Sequence, residues 1–202
     1  DPPIVSAPDS HSPREDLLDR IRAEQMRLLY SSAPLAILIS LAVAAALAWV
    51  LHARVPGHLL GGWLAALLVV SAARLALCRT YQRRAGAGGH RPWLLAFVVA
   101  AFAAGATWGA ASPLLLPAAT PMEQMFIIVS LAGVAAGAVT SLSWIHAVAL
   151  AFIVPTLVPL LTYFALAEAA LATPLAVMVG VFLGGTGMMS HRAAGHAYQS
   201  LR

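Results

Sequence analysis

The stretch SLAGVAAGAVTSLSWIHA, residues 130–147, lacks bulk where a soluble helix would keep it: seven of its eighteen residues are Gly or Ala. In water a helix is held by burying large apolar side chains, at about 25 cal/mol per Å², so this segment would be held weakly. In lipid the same choice is sound. Acyl chains are as apolar as Leu, and helices associate through close backbone approach, which small residues permit. Gly133-x-x-x-Gly137-x-x-x-Ser141 places three small residues along one face of a helix.

Composition supports the lipid reading. The 202 residues are 60% hydrophobic and 10% charged, with a mean hydropathy of +0.82, whereas ordinary soluble domains are about 25% charged. About 20 apolar residues in a helix cross a hydrocarbon core of about 30 Å. The expected fold is all-α, an integral membrane bundle of six transmembrane helices. The spans fall at about Ala33–Leu51, Leu59–Leu77, Trp93–Leu116, Met125–Leu142, Ala147–Ala167 and Leu175–Ser190. The runs are continuous and rich in Ala and Leu, which excludes the alternating segments of a transmembrane barrel.

The domain organisation follows. Residues 1–11 are Pro-rich and polar and are expected to be a disordered tail. Residues 12–32 read as an amphipathic juxtamembrane helix, with Ser12 and Glu15 as a capping box and Pro13 at its first position. That helix either lies on the headgroups or docks, on its copy or on a cytoplasmic partner. Residues 33–190 form the six-helix membrane domain. Residues 191–202, HRAAGHAYQSLR, read as the start of a cytoplasmic connecting helix that carries a further part.

All twelve basic residues are Arg. Eleven cluster before the first span, at the second connection and after the sixth; Arg54 alone falls on the other side. Positive residues stay on the cytoplasmic side, so both termini are expected there. Residues 1–32 carry four Arg and six acids, a charge of −2, and the remainder carries eight Arg and two acids, +6. That basic excess faces anionic lipid; no basic soluble face with interleaved aromatics points to nucleic acid. Arg74, about one turn inside the second span, is expected to snorkel to the headgroups. Cys78 is the single cysteine and reads as a small buried hydrophobe.

Small residues four apart also occur as Gly105 and Gly109 in the third span and Gly180 and Gly184 in the sixth. These pairs serve packing within one bundle or the seam of a homodimer. Pro155 and Pro159 remove two donors from the fifth span and bend it, as a static bend or as a hinge that relays a signal.

Catalytic machinery is not evident. The spans hold no Asp, Glu or Lys, which disfavours an ion-coupled transporter, and no internal repeat relates the two halves. No catalytic residue is assigned and no cofactor is expected with any force; haem is the alternative. His52 and His58, with Met122, Glu123 and Met125, lie by the outer connections and offer a shallow metal site. His90, His146, His191 and His196 lie near the cytoplasmic surface and offer a haem clasp. None has tight ligand spacing, and the other reading is His facing headgroups and water. Ligand candidates are Trp108, Ser141, Ser143, Trp144 and His146, because polar and aromatic groups are scarce there.

AEQMRLLYSSAPLAILISL entering the first span, AGATWGAASPLLLP closing the third, and SLAGVAAGAVTSLS followed by AFIVPTLVPLL form a familiar succession. It resembles the N-terminal membrane region of bacterial signalling proteins whose outputs are diguanylate cyclase, cyclic-di-GMP phosphodiesterase or histidine kinase domains. The Met-His-Tyr-Thr signature of a related type is absent. The resemblance implies a dimeric sensory input that passes a packing change to a covalently attached cytoplasmic output. The chain holds no cyclase, phosphodiesterase or kinase sequence, so any catalysis would belong to that attached part. The rival readings are a haem- or metal-bearing redox protein and a small transporter.

Overall fold

A computed structural model describes residues 13–84, 90–142 and 145–166, together with positions 177, 180, 181, 184 and 185. The helices are α1 (Pro13–Leu51), α2 (Gly57–Arg84), α3 (His90–Gly109), α4 (Ala111–Leu115), α5 (Pro121–Leu142) and α6 (His146–Leu166), with a 3-10 turn at Leu116–Ala118. Five segments are long and apolar enough to cross a membrane: Leu29–Leu51, Gly57–Arg84, Arg91–Ala118, Pro121–Leu142 and Ala147–Leu166. The described residues are therefore all-helical, with five helices of the multi-pass membrane type. The sixth span at 175–190, the tail at 1–11, the Ser12 cap and the connecting helix at 191–202 lie outside the described residues.

The surface shows which solvent the bundle is built for. Leu35, Leu38, Leu68, Val69, Leu95, Val99, Phe102 and Val129 are all exposed, and so much large apolar surface suits acyl chains rather than water. Inside, bulky residues such as Trp108, Leu29 and Ile37 are buried together with Ala101, Ala104, Ala111, Ala135 and Ala138, and these small ones let the backbones meet.

The segment at 13–32 leads into the first span without interruption: α1 runs unbroken from Pro13 to Leu51, with Pro34 inside it. Met26, Leu29 and Tyr30 are buried in the core, so the helix enters the bundle earlier than Ala33. The third span breaks into α3 and α4. Pro113 has no N–H for the Gly109 carbonyl and its ring crowds that carbonyl, so the regular ladder ends at Gly109. Hydrogen bonds from Ala110 N to Ala106 O (2.9 Å) and from Leu114 N to Ala110 O (3.2 Å) carry the chain across the break.

α5 starts on a capping box in TPME. Thr120 N and Oγ1 both donate to Glu123 Oε2 at 2.7 Å, and Glu123 N donates to Thr120 Oγ1 at 3.4 Å. Pro121 sits at the first helical position, where a missing N–H costs nothing.

α1 packs on α2 and α5, α2 on α3, and α5 on α6; α3 and α6 form the closest pairing. Tyr30 fastens one end of the bundle. Its ring stacks on Tyr81 with centroids 3.9 Å apart and meets Phe97 edge-on at 4.9 Å, and its hydroxyl donates to the Trp93 carbonyl at 3.0 Å. One side chain thus joins α1, α2 and α3.

Candidate functional site

The three Gly pairs predicted for helix packing occupy two different settings. Gly105 and Gly109 face α6. A Cβ at Gly105 would overlap the Phe152 carbonyl and come within 2.9 Å of Pro155 Cγ; one at Gly109 would overlap the Pro155 carbonyl and approach Pro159 Cγ to 3.1 Å. The two motifs interlock, glycines four apart against prolines four apart. Pro159 supplies no N–H to the Pro155 carbonyl, and the Cα–H of Gly109 faces that carbonyl instead. Thr156, buried at the same crossing, places its hydroxyl 2.7 Å from Phe152 O and 3.2 Å from Gly105 O. Pro155 and Pro159 thus sit in a tight seam with α3.

Gly133 and Gly137 behave differently. Both are exposed, and a Cβ at either would have nothing within 4 Å among the described residues. Gly180 and Gly184 are likewise without such a neighbour. Beside Gly133 and Gly137 lies a cavity of about 190 Å³, at the seam of α1 and α5. α1 contributes Ala36 and Ser40, α5 contributes Thr140 and Ser141, Phe152 of α6 lies at its edge, and Arg74 reaches in from α2. Ala36 and Ser40 of α1 therefore face the small stripe of α5, with space left between.

Arg74 extends into this recess between the helices. Its head lies deep among protein atoms, and the residue keeps part of its surface where the cavity opens. The physical reason is space: glycines and alanines across the seam leave a recess that a long side chain enters. No ion pair or hydrogen bond holds this guanidinium among the described residues. Cys78, one turn further along α2, is free and buried.

Three hydroxyls line the recess. Thr140 donates to the Gly137 carbonyl of its own helix at 2.9 Å. Ser40 Oγ accepts the indole N–H of Trp108 at 2.8 Å, which leaves its own O–H to donate elsewhere. Ser141 has no hydrogen bond among the described residues.

Of the ligand candidates, Ser141 lines this recess and Trp108 supports it from behind through Ser40. Trp108 is itself buried and meets Trp63 edge-on with centroids 5.4 Å apart. Trp63 donates to the Thr107 carbonyl at 2.9 Å, one of the last carbonyls of α3, which the helix ladder leaves without a partner. Ser143 and Trp144 lie outside the described residues, as do the side chains of His146 and His90 and all of His191 and His196.

On the opposite side, His52 is exposed, with Nδ1 2.6 Å from the Trp49 carbonyl, and His58 is exposed. Glu123, offered as their partner, is committed to the α5 cap. Among the described residues no three His, Cys, Asp or Glu side chains are grouped to hold a metal ion.

Arg74 and Ser40 were in view in the sequence, yet neither was assigned to the site. The available signal was an arginine inside a span with no acid to answer it. The sequence matches no family model or curated protein, and no solved structure matches the fold.

Proposed function

We propose that the chain is a membrane-embedded sensory input domain, which responds to a small or lipophilic stimulus and passes a change in helix packing to an attached cytoplasmic output. The observation that carries this reading is the recess between α1 and α5. It is open to the exterior of the bundle, lined by hydroxyls among small and branched apolar side chains, and entered by one guanidinium that no described group pairs. Such a lining suits binding of a partly apolar ligand. A ligand seated between α1 and α5 would bias the helix that leads in from the N-terminal segment. In this reading a sixth span over 175–190 returns the chain to the arginine-rich side, which faces the cytoplasm of a bacterium. A homodimer then presents paired connecting helices to a diguanylate cyclase, phosphodiesterase or histidine kinase output.

The test joins the chain through Arg202 to a diguanylate cyclase domain that works only as a dimer. Cyclic-di-GMP output should change when the lipid composition of the host membrane is altered. Output identical to that of an unrelated multi-span anchor would overturn the reading. An absorption spectrum of the purified protein checks the redox alternative: a colourless sample is expected, and a Soret band would favour haem.

A further inference from the structure

We infer that the seam between α1 and α5 is a receptor site for an anionic amphiphile, whose oxyanion headgroup pairs with Arg74 and whose acyl chain lies along Gly137 and Gly133. The inference rests on the sensory reading and names its ligand class.

The need for an external anion follows from where the carboxylates are. A guanidinium at membrane depth calls for a counter-charge or a hydrogen-bonded shell. α2 is 28 residues long, about 42 Å against a hydrocarbon core of about 30 Å. Arg74 stands about 15 Å short of its Arg84 end, within the apolar slab but in the half that carries Arg79, Arg83 and Arg84. No residue from 25 to 122 is acidic. Glu24 on α1 is twelve residues from Ala36, about 18 Å along the axis, and Glu123 is ten residues from Gly133, about 15 Å along α5, and is bound in its cap. Glu168 lies outside the described residues. The described protein thus offers Arg74 no anion.

The recess supplies the rest of such a site. Ser40 and Ser141 carry hydroxyl donors not held by other described groups, suited to the remaining oxygens of a carboxylate or phosphate. From Ser141 to Gly133 the α5 face runs about 12 Å; a Cβ built at Gly133 or Gly137 meets nothing among the described residues, and Val134 and Leu142 add apolar lining. A straight hydrocarbon chain fits such a channel, whereas a compact hydrophilic anion would leave it empty. Ile39, exposed at the rim, is the kind of side chain a lipid tail passes on entry.

The experiment uses the whole chain in nanodiscs of neutral phosphatidylcholine, with native mass spectrometry and equilibrium titration as readouts. Oleate should bind saturably, oleyl alcohol should not compete, and Arg74→Gln should weaken oleate at least tenfold, with Arg74→Lys recovering part of the loss. Gly137→Leu fills the channel and keeps the charge; it should abolish binding, which covers the case of an Arg74 variant that fails to fold. Competition by dioleoyl-phosphatidylglycerol would identify the headgroup source as phospholipid, and failure to compete would identify the free acid; both outcomes support the anion site. Equal oleate binding by wild type and Arg74→Gln, or no saturable binding of either anion, would overturn it. The chimeric cyclase separates the two claims. Output that follows lipid composition without binding of either anion leaves the sensory reading standing and removes this one, and binding without any output change does the reverse.

Discussion

Gly105/Gly109 of α3 and Gly133/Gly137 of α5 share one sequence motif and have opposite surroundings. The first pair is occupied: the backbone of α6 lies so close that an added methyl would overlap the Phe152 and Pro155 carbonyls. The second pair faces a recess with Arg74 at one end and no described helix against it. Small residues in lipid permit close approach but do not choose what approaches. At the α3–α6 seam the choice falls to α6, whose Phe152 carbonyl and Pro155 carbonyl, the latter left without a donor by Pro159, lie in the glycine notches beside the two proline rings. At the α1–α5 seam small residues lie on both sides, so neither helix fills the space of the other.

The sharpest way to break this contrast is one methyl group. Gly109→Ala should destabilise the folded bundle by about 3 kcal/mol, the upper part of the overpacking range, because the obstacle is a backbone carbonyl that cannot rotate away. Thermal unfolding in nanodiscs reads it directly; an unchanged midpoint would mean that α3 and α6 are not in this register. Trp108→Phe tests the bridge between the two seams. It removes the donor to Ser40 Oγ, and its expected cost is about 2 kcal/mol, as when a buried hydrogen bond loses one partner.

A smaller effect is expected from Thr156→Val, about 0.6 kcal/mol, the typical value for a side-chain hydrogen bond between membrane helices. A cost several times larger would make the polar contact with Phe152 and Gly105, rather than the glycine notch, the main tie of that seam. Gly137→Ala should be the mildest change, within about 0.5 kcal/mol and towards greater stability, because Ala favours the helix and meets no neighbour. If Gly137→Ala destabilised as much as Gly109→Ala, the stripe on α5 would be a packed interface in the assembled protein and the contrast would fail.

Several features were legible before any coordinates. The apolar runs, their lengths and the scarcity of charge identified a helical membrane protein and located five of its long apolar helices to within about four residues, except that the second runs on from Leu77 to Arg84. The α5 cap was present in TPME, though those residues read as a connection, because membrane spans are recognised by hydropathy and the polar capping residues fall just outside the window. The break at Gly109 was also encoded, in Pro113, but a run with no charged residue reads as continuous. Tyr30 was hidden for another reason. It falls where an amphipathic helix and an apolar span meet, and only its partners Tyr81, Trp93 and Phe97, distant in sequence, mark that end as interior.

What the sequence determined by itself was the solvent, because mean hydropathy and span length are local sums that do not depend on which helix lies next to which. The tertiary structure decided what each small stripe is for. Glycine records that room is needed and leaves unstated whether a proline-bent helix or an open recess takes it; that depends on contacts between residues some fifty positions apart in the chain, such as Gly105 with Thr156. The same holds for Arg74, whose surroundings became visible only once α1 and α5 stood beside it without an acid to offer.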